Sequence, residues 1–217
     1  MLTIFSPNML KTYQTCPQKF FLQYIKRVNI PRLTTPFEKG KKIHALANYY
    51  LQKTDISRIE NALTIEEAQI WKTLQQNTFF QMKCIKSEFQ LSCKLSDFWI
   101  GGRLDALMQE GDKYYILDYK TGSTPKNPQY DIQTMVYLLC LDCYIKDYES
   151  ISFVYLNLKH KNNTLITFNE ELKLQYQQAL TELCSKINND KTYMPNTQNC
   201  SSCEYKTLCK HTIKQPL

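Results

Sequence analysis

A chain of 217 residues, 43% hydrophobic and 22% charged, has the composition of an ordinary globular domain, which excludes a disordered or fibrous class. No stretch approaches the roughly 20 apolar residues of a membrane span, and MLTIFSPNML lacks the charged start and apolar block of a signal peptide, so a cytoplasmic protein without a membrane partner is expected. The net charge of +7, from 27 Lys+Arg against 20 Asp+Glu, suits a polyanionic partner and equally suits a solubility device.

The N-terminal third reads as helical. Ser6-Pro7 makes a cap and first turn for NMLKTYQT, and Cys16-Pro17 interrupts that helix, with Pro17 opening a second through QKFFLQYIKR. A third helix is expected over FEKGKKIHALANYYLQ, with Ile43, Leu46, Ala47 and Tyr50 on its apolar stripe. Thr64 and Glu67 form a capping box for IEEAQIWKTLQQ. The period then changes. IKSEFQLSCKL alternates, with Phe89, Leu91, Cys93 and Leu95 on one face and Glu88, Gln90 and Ser92 on the other. FWIGGRLDALM and KYYILDYK follow as a hairpin around the turn QEGD. Next come a helix through PQYDIQTMVYLLCLDCYI, strands over SISFVYLNL and TLITF, and a long amphipathic helix over NEELKLQYQQALTELCSKI. This order predicts a mixed α/β domain around a central sheet. No repeat, low-complexity tract or Gly/Ser linker divides it.

The chemistry gathers on the hairpin. Asp105 lies late in one strand and Asp118 late in the next, and Lys120 leaves the same face as Asp118. A D-x-K pair at a strand end is often only a solvated edge. Here both acids emerge from apolar strands, where an unpaired carboxylate is costly and a cation is needed. Two carboxylates with Mg²⁺ or Mn²⁺, and a lysine to orient water or steady the transition state, suit phosphodiester hydrolysis.

The set GGRLDAL, ILDYKTG and QTMVY resembles the RecB-type branch of the PD-(D/E)xK nuclease superfamily. The resemblance implies a restriction-endonuclease-like core with a mixed sheet flanked by helices. It implies catalytic roles for Asp105, Asp118 and Lys120, with Gln133 and Tyr137, four apart on one helical face, setting the scissile strand. His44 in GKKIHALANYYL matches the branch's metal-binding histidine, so His44, Asp105, Asp118 and the Tyr119 carbonyl would hold Mg²⁺ or Mn²⁺. Glu88 matches an auxiliary acid most weakly. Without the resemblance, His44 reads as an ordinary helical histidine.

Nine cysteines kept reduced point to burial or metal binding. CSSCEYKTLC, from Cys200 to Cys209, places Cys200, Cys203 and Cys209 as C-x2-C-x5-C, and a closed site wants a fourth ligand. His211 would complete a zinc site, and spacing alone does not separate zinc from iron–sulfur. A subset of the RecB-type nucleases carries a 4Fe-4S cluster with this trailing pattern and a leading cysteine in a CP context, which YQTCPQKFF supplies as Cys16. That subset includes the CRISPR-associated RecB-like nucleases (the fourth Cas family) and the AddB nuclease domain. Cys140 and Cys143 read as a buried thiol pair, and Cys84, Cys93 and Cys184 as core or incidental.

The resemblance runs from about Tyr13 to Cys209. It implies a single nuclease domain with a helical part at 1–83, a core at 84–190 and a cysteine-rich tail at 191–217. The expected activity is a metal-dependent deoxyribonuclease, an exonuclease on single-stranded DNA or DNA ends, in repair, recombination or CRISPR adaptation. A stand-alone nuclease is expected, or a subunit of a larger assembly with a helicase or a CRISPR integration complex. The alternative is a catalytically silent iron–sulfur or zinc module that binds DNA or a partner.

Overall fold

The computed structural model describes residues 2–30 and 35–209; His211, the alternative zinc ligand, lies outside the described residues. Strand β1 (Ile4–Phe5) leads to α1 (Pro7–Thr15) and α2 (Pro17–Phe20), which continues as a π-helical turn over Phe21–Ile25. Then come α3 (Thr35–Leu51), α4 (Ser57–Glu60) and α5 (Ile65–Gln75). A meander of β2 (Lys83–Leu95), β3 (Phe98–Glu110) and β4 (Lys113–Lys120) precedes α6 (Ile132–Tyr144). The chain ends with β5 (Ser150–Asn157), β6 (Asn162–Thr167), α7 (Glu170–Asn189) and the cysteine tail. This is the expected α/β architecture of a mixed sheet between helices.

Local chemistry explains the boundaries. The Ser6 hydroxyl accepts from the Met9 N–H at 3.3 Å, with Pro7 in the first turn, where a missing N–H costs nothing. Glu67 accepts from the Thr64 N–H at 2.8 Å while the Thr64 hydroxyl accepts from the Glu67 N–H, closing the capping box. Gly111, at φ +58°, begins the two-residue turn between β3 and β4.

Two cores sandwich the sheet. On one face Leu10, Tyr13, Val136, Leu172 and Tyr176 pack against Ile116, Phe153 and Tyr155. On the other, Ile43, Leu46, Trp71, Leu74 and Phe80 pack against Leu117, Val154 and Leu156. β5 is therefore buried on both faces, which is why its sequence is almost continuously apolar. Two expectations need correction. Tyr50 is 44% exposed, because it lies at the edge of the second core, against Phe80 and Trp71. Cys143 is exposed, and the close buried thiols are Cys140 and Cys93, 3.5 Å apart between α6 and β2. The short elements β1 and α4 lie where no strand or helix was expected; each is too brief to show a period.

Strand β3 organises the sheet. β2 covers one of its edges along its whole length, from Leu95↔Phe98 to Lys83↔Gln109. The other edge is shared: β1 pairs in parallel at Trp99 and Ile100, and β4 pairs from Glu110 back to Ala106. Residues 101–105 lie between these two partners. Gly101 and Gly102 begin that interval because side chains do not fit. A Cβ on Gly101 would stand 2.3 Å from the Leu91 carbonyl oxygen, and one on Gly102 would stand 2.9 Å from the Tyr137 hydroxyl. Gly101→Ala should therefore push β2 from β3 and destabilise the protein by about 1–3 kcal/mol, seen as a lower urea midpoint; an unchanged midpoint would contradict this packing.

Candidate active site

The site forms where β3 and β4 part. Their pairing stops at Ala106↔Leu117, so Asp105 and Asp118 are the first residues beyond the ladder. Asp105 replaces the lost backbone partner with its side chain: Oδ2 accepts from the Tyr119 N–H at 2.9 Å. Its other oxygen, Oδ1, lies 3.0 Å from His44 Nδ1. His44 reaches in from α3, and its Nε2 lies 2.9 Å from the Tyr119 carbonyl oxygen. Both imidazole nitrogens thus face acceptors, a setting that favours the doubly protonated ring. Burial pushes the imidazole pKa down, but the hydrogen bond and charge of Asp105, with the charge of Asp118, outweigh it and hold it up at about 8.

Asp118 is only 4% exposed. Lys120 Nζ stands 2.8 Å from its Oδ2 as an ion pair without hydrogen-bond alignment, so that oxygen has no hydrogen-bond donor. The Gln133 amide on α6 donates to the other oxygen, and Lys120 lies 3.5 Å from the Gln133 carbonyl oxygen. Burial first, then the negative charge of Asp105, raises the Asp118 pKa, with Lys120 and His44 opposing. Tyr137 is 5% exposed and donates to the Arg103 carbonyl oxygen at 2.8 Å. Its hydroxyl therefore acts on the β3 backbone inside the protein.

Glu88 is brought in as well. The register from Ser87↔Ala106 to Phe89↔Leu104 puts it opposite Asp105, where its backbone turns to φ +48°. Among the described residues, His44, Glu88 and Asp105 are the group of three whose ligand atoms lie within 4.8 Å of one another. Arg103, which sequence reasoning gave no role, pairs with Glu88 at 2.7 Å while its side chain stays 66% exposed. Together with Lys41, Asn48 and Tyr49 these residues line a cavity of about 770 Å³. The signal for Glu88 was present: a two-residue Ser96–Asp97 turn sets the β2–β3 register and so aligns Glu88 with Asp105.

Cys16, Cys200, Cys203 and Cys209 all line a separate cavity of about 110 Å³. Cys16 sits at the joint between α1 and α2. Around it the two ends of the chain are tied by Lys19–Glu204 at 2.9 Å, by Asn199 donating to the Thr15 carbonyl at 3.2 Å and by Tyr205 donating to the Val28 carbonyl at 3.1 Å.

The crystal structure of a candidate exonuclease from Eubacterium rectale superposes with a TM-score of 0.59 at 11% identity, covering 98% of this chain and 90% of that one. A second solved structure, of the protein SSO0001, covers 98% of this chain and 88% of its own at 16% identity, with a TM-score of 0.47. None of the curated proteins matches the sequence. The family described as the PD-(D/E)XK nuclease superfamily matches residues 4–210, nearly the whole chain. The chain belongs to the PD-(D/E)XK nuclease superfamily.

Proposed function

We propose that this protein is a divalent-metal-dependent deoxyribonuclease acting on single-stranded DNA or DNA ends. The observation that carries the reading is the meeting of Asp105, Asp118 and Lys120 at the point where β3 and β4 separate. The residues present fit a cation: His44, Glu88 and Asp105 offer ligand atoms within 4.8 Å of one another, and the Asp118 carboxylate, outside that group, lies buried against Lys120. His44, Asp105, Asp118 and the Tyr119 carbonyl would hold Mg²⁺ or Mn²⁺, with Glu88 as a further oxygen ligand. Such a cation offsets charge on the phosphate and acidifies water.

The chain's own groups supply the rest. Gln133 fixes one Asp118 oxygen and leaves the other to Lys120. Lys120, held between Asp118 and Gln133, presents an ammonium that orients the attacking water or meets the developing negative charge. Tyr137 anchors β3 through the Arg103 carbonyl, which keeps Asp105 at the edge of the gap. The exposed Arg103 guanidinium can take a phosphate oxygen from outside.

The four cysteines are read here as ligands of a 4Fe-4S cluster that joins the ends of the chain. All four thiols line one cavity. Thiolates serve zinc and iron–sulfur alike, and the cluster reading rests on the leading Cys16 in its CP context together with the C-x2-C-x5-C tail.

Three outcomes follow. With Mn²⁺ and end-labelled single-stranded DNA, Lys120→Ala should cut the rate at least about 100-fold; equal loss-free activity in both proteins would remove Lys120 from the chemistry. In calorimetry without DNA, Mn²⁺ affinity should fall about tenfold per pH unit below 8, with a proton released on binding, and level off above it. The sign follows from a His44 pKa raised to about 8, since the proton must leave before the ring can ligate. Flat affinity from pH 6 to 9 would exclude His44 as a ligand. Anaerobically purified protein should carry about four irons per chain, and Cys200→Ser should lose them and lower the melting temperature. One zinc per chain would replace the cluster reading.

A further inference from the structure

The site cavity does not end at the catalytic lysine. Thr121, the next residue, lines both that cavity and a second groove of about 710 Å³. One wall of the second groove is α5, through Lys72, Thr73 and Gln76. The other is the turn between β5 and β6, through Lys159 and Lys161. Both walls are fixed in place. The Leu158 N–H donates to the Lys120 carbonyl oxygen at 2.9 Å, docking the turn directly on the end of β4. Asn77, just beyond α5, donates to Asn163 on β6 at 2.9 Å. The turn's shape is set by the His160 N–H bonding the Asn157 side chain at 3.0 Å and by Lys161 at φ +53°.

Apart from Ile70 and Leu158, the lining is polar, and its charged groups are mostly basic. Three ammonium groups face one acid, Glu66, with hydroxyl and amide donors between them and no aromatic ring. Such a surface reads phosphates and offers nothing on which bases stack. A ligand that is anionic along its length and continuous with a phosphodiester at Lys120 is a nucleic acid strand. We infer that this groove carries the backbone of single-stranded DNA away from the active site, independently of base sequence. This deepens the nuclease reading and rests on it.

The test separates the two. Anisotropy in EDTA measures binding of labelled oligo-dT of about twenty and about six nucleotides, lengths bracketing common single-strand site sizes. Hydrolysis of bis(p-nitrophenyl) phosphate with Mn²⁺ reports chemistry without any strand to hold. In Lys159→Ala/Lys161→Ala, affinity for the long oligonucleotide should fall about tenfold and the slope of log K against log salt should flatten by about 1.4, from about 0.7 per phosphate contact. Hydrolysis of the small ester should be unchanged. If wild type and variant bind the long strand with the same affinity and slope, the groove is not the path, and the nuclease reading stands on the small-ester activity. If the variant loses binding while neither protein hydrolyses the ester, the groove is upheld and the nuclease reading falls. A wild type that neither binds nor hydrolyses overturns both.

Discussion

The separation of β3 from β4 after Ala106↔Leu117 is the constraint on which the site depends. A sheet normally satisfies its backbone by continuing the ladder, and stopping it in the interior leaves polar groups to be served otherwise. Asp105 serves one of them, the Tyr119 N–H, and His44 serves another, the Tyr119 carbonyl. The groups that repair the sheet are therefore the groups that would hold a cation. That coupling also sets the electrostatics. Asp105, Asp118 and Glu88 are faced by His44, Lys120 and Arg103, so the metal-free site is balanced, three acids against three bases. A dication held there with His44 neutral would bring the total to one net positive charge, the right sign for a phosphodiester.

Much of this was legible in the sequence because its causes are local. Caps at Ser6 and Thr64, the turn at Gly111 and the apolar run of β5 each follow from a few adjacent residues. Asp118 and Lys120 were readable together because a strand repeats every two residues. Glu88 was harder. Alternation assigned it to an outer face, and only the register with β3, combined with a left-handed backbone, turns its carboxylate toward Asp105. Arg103 was passed over for a similar reason: its value lies in a cross-strand pair. The parity slip on β3 was not readable either. Leu104 and Leu107 join one core while Ala106 joins the other, so the face changes at Asp105 itself.

The cysteine cavity stands at the far reach of the same logic. The Tyr13 hydroxyl donates to Asp190 at 2.7 Å, and Leu2 and Asn188 exchange two hydrogen bonds, so residues nearly the whole chain apart are already joined near Cys16. Closing so long a loop restrains the unfolded chain more than the folded one. A cluster there would reinforce a junction that protein hydrogen bonds have already positioned. A structural role follows more directly from this than an electron-transfer role.

Helix α6 connects these parts. Gln133, Tyr137 and Cys140 recur at i, i+4 and i+7 on one face. In order they reach Asp118, the Arg103 carbonyl and the Ile100 carbonyl. The Tyr137 contact falls in the interval of β3 that neither β1 nor β4 covers, and the other two lie at its borders, on β4 and at the β1-paired Ile100. Asp131 caps that helix and also holds Lys11 of α1 at 2.7 Å. A shift of α6 along its axis would move the Asp118 clamp and the β3 anchor together. Gly102 is what lets the helix come so close, since a Cβ there would stand 2.9 Å from the Tyr137 hydroxyl. The gap that makes the site is thus tied to the helix beside it, through Tyr137 at the Arg103 carbonyl and Gln133 at Asp118.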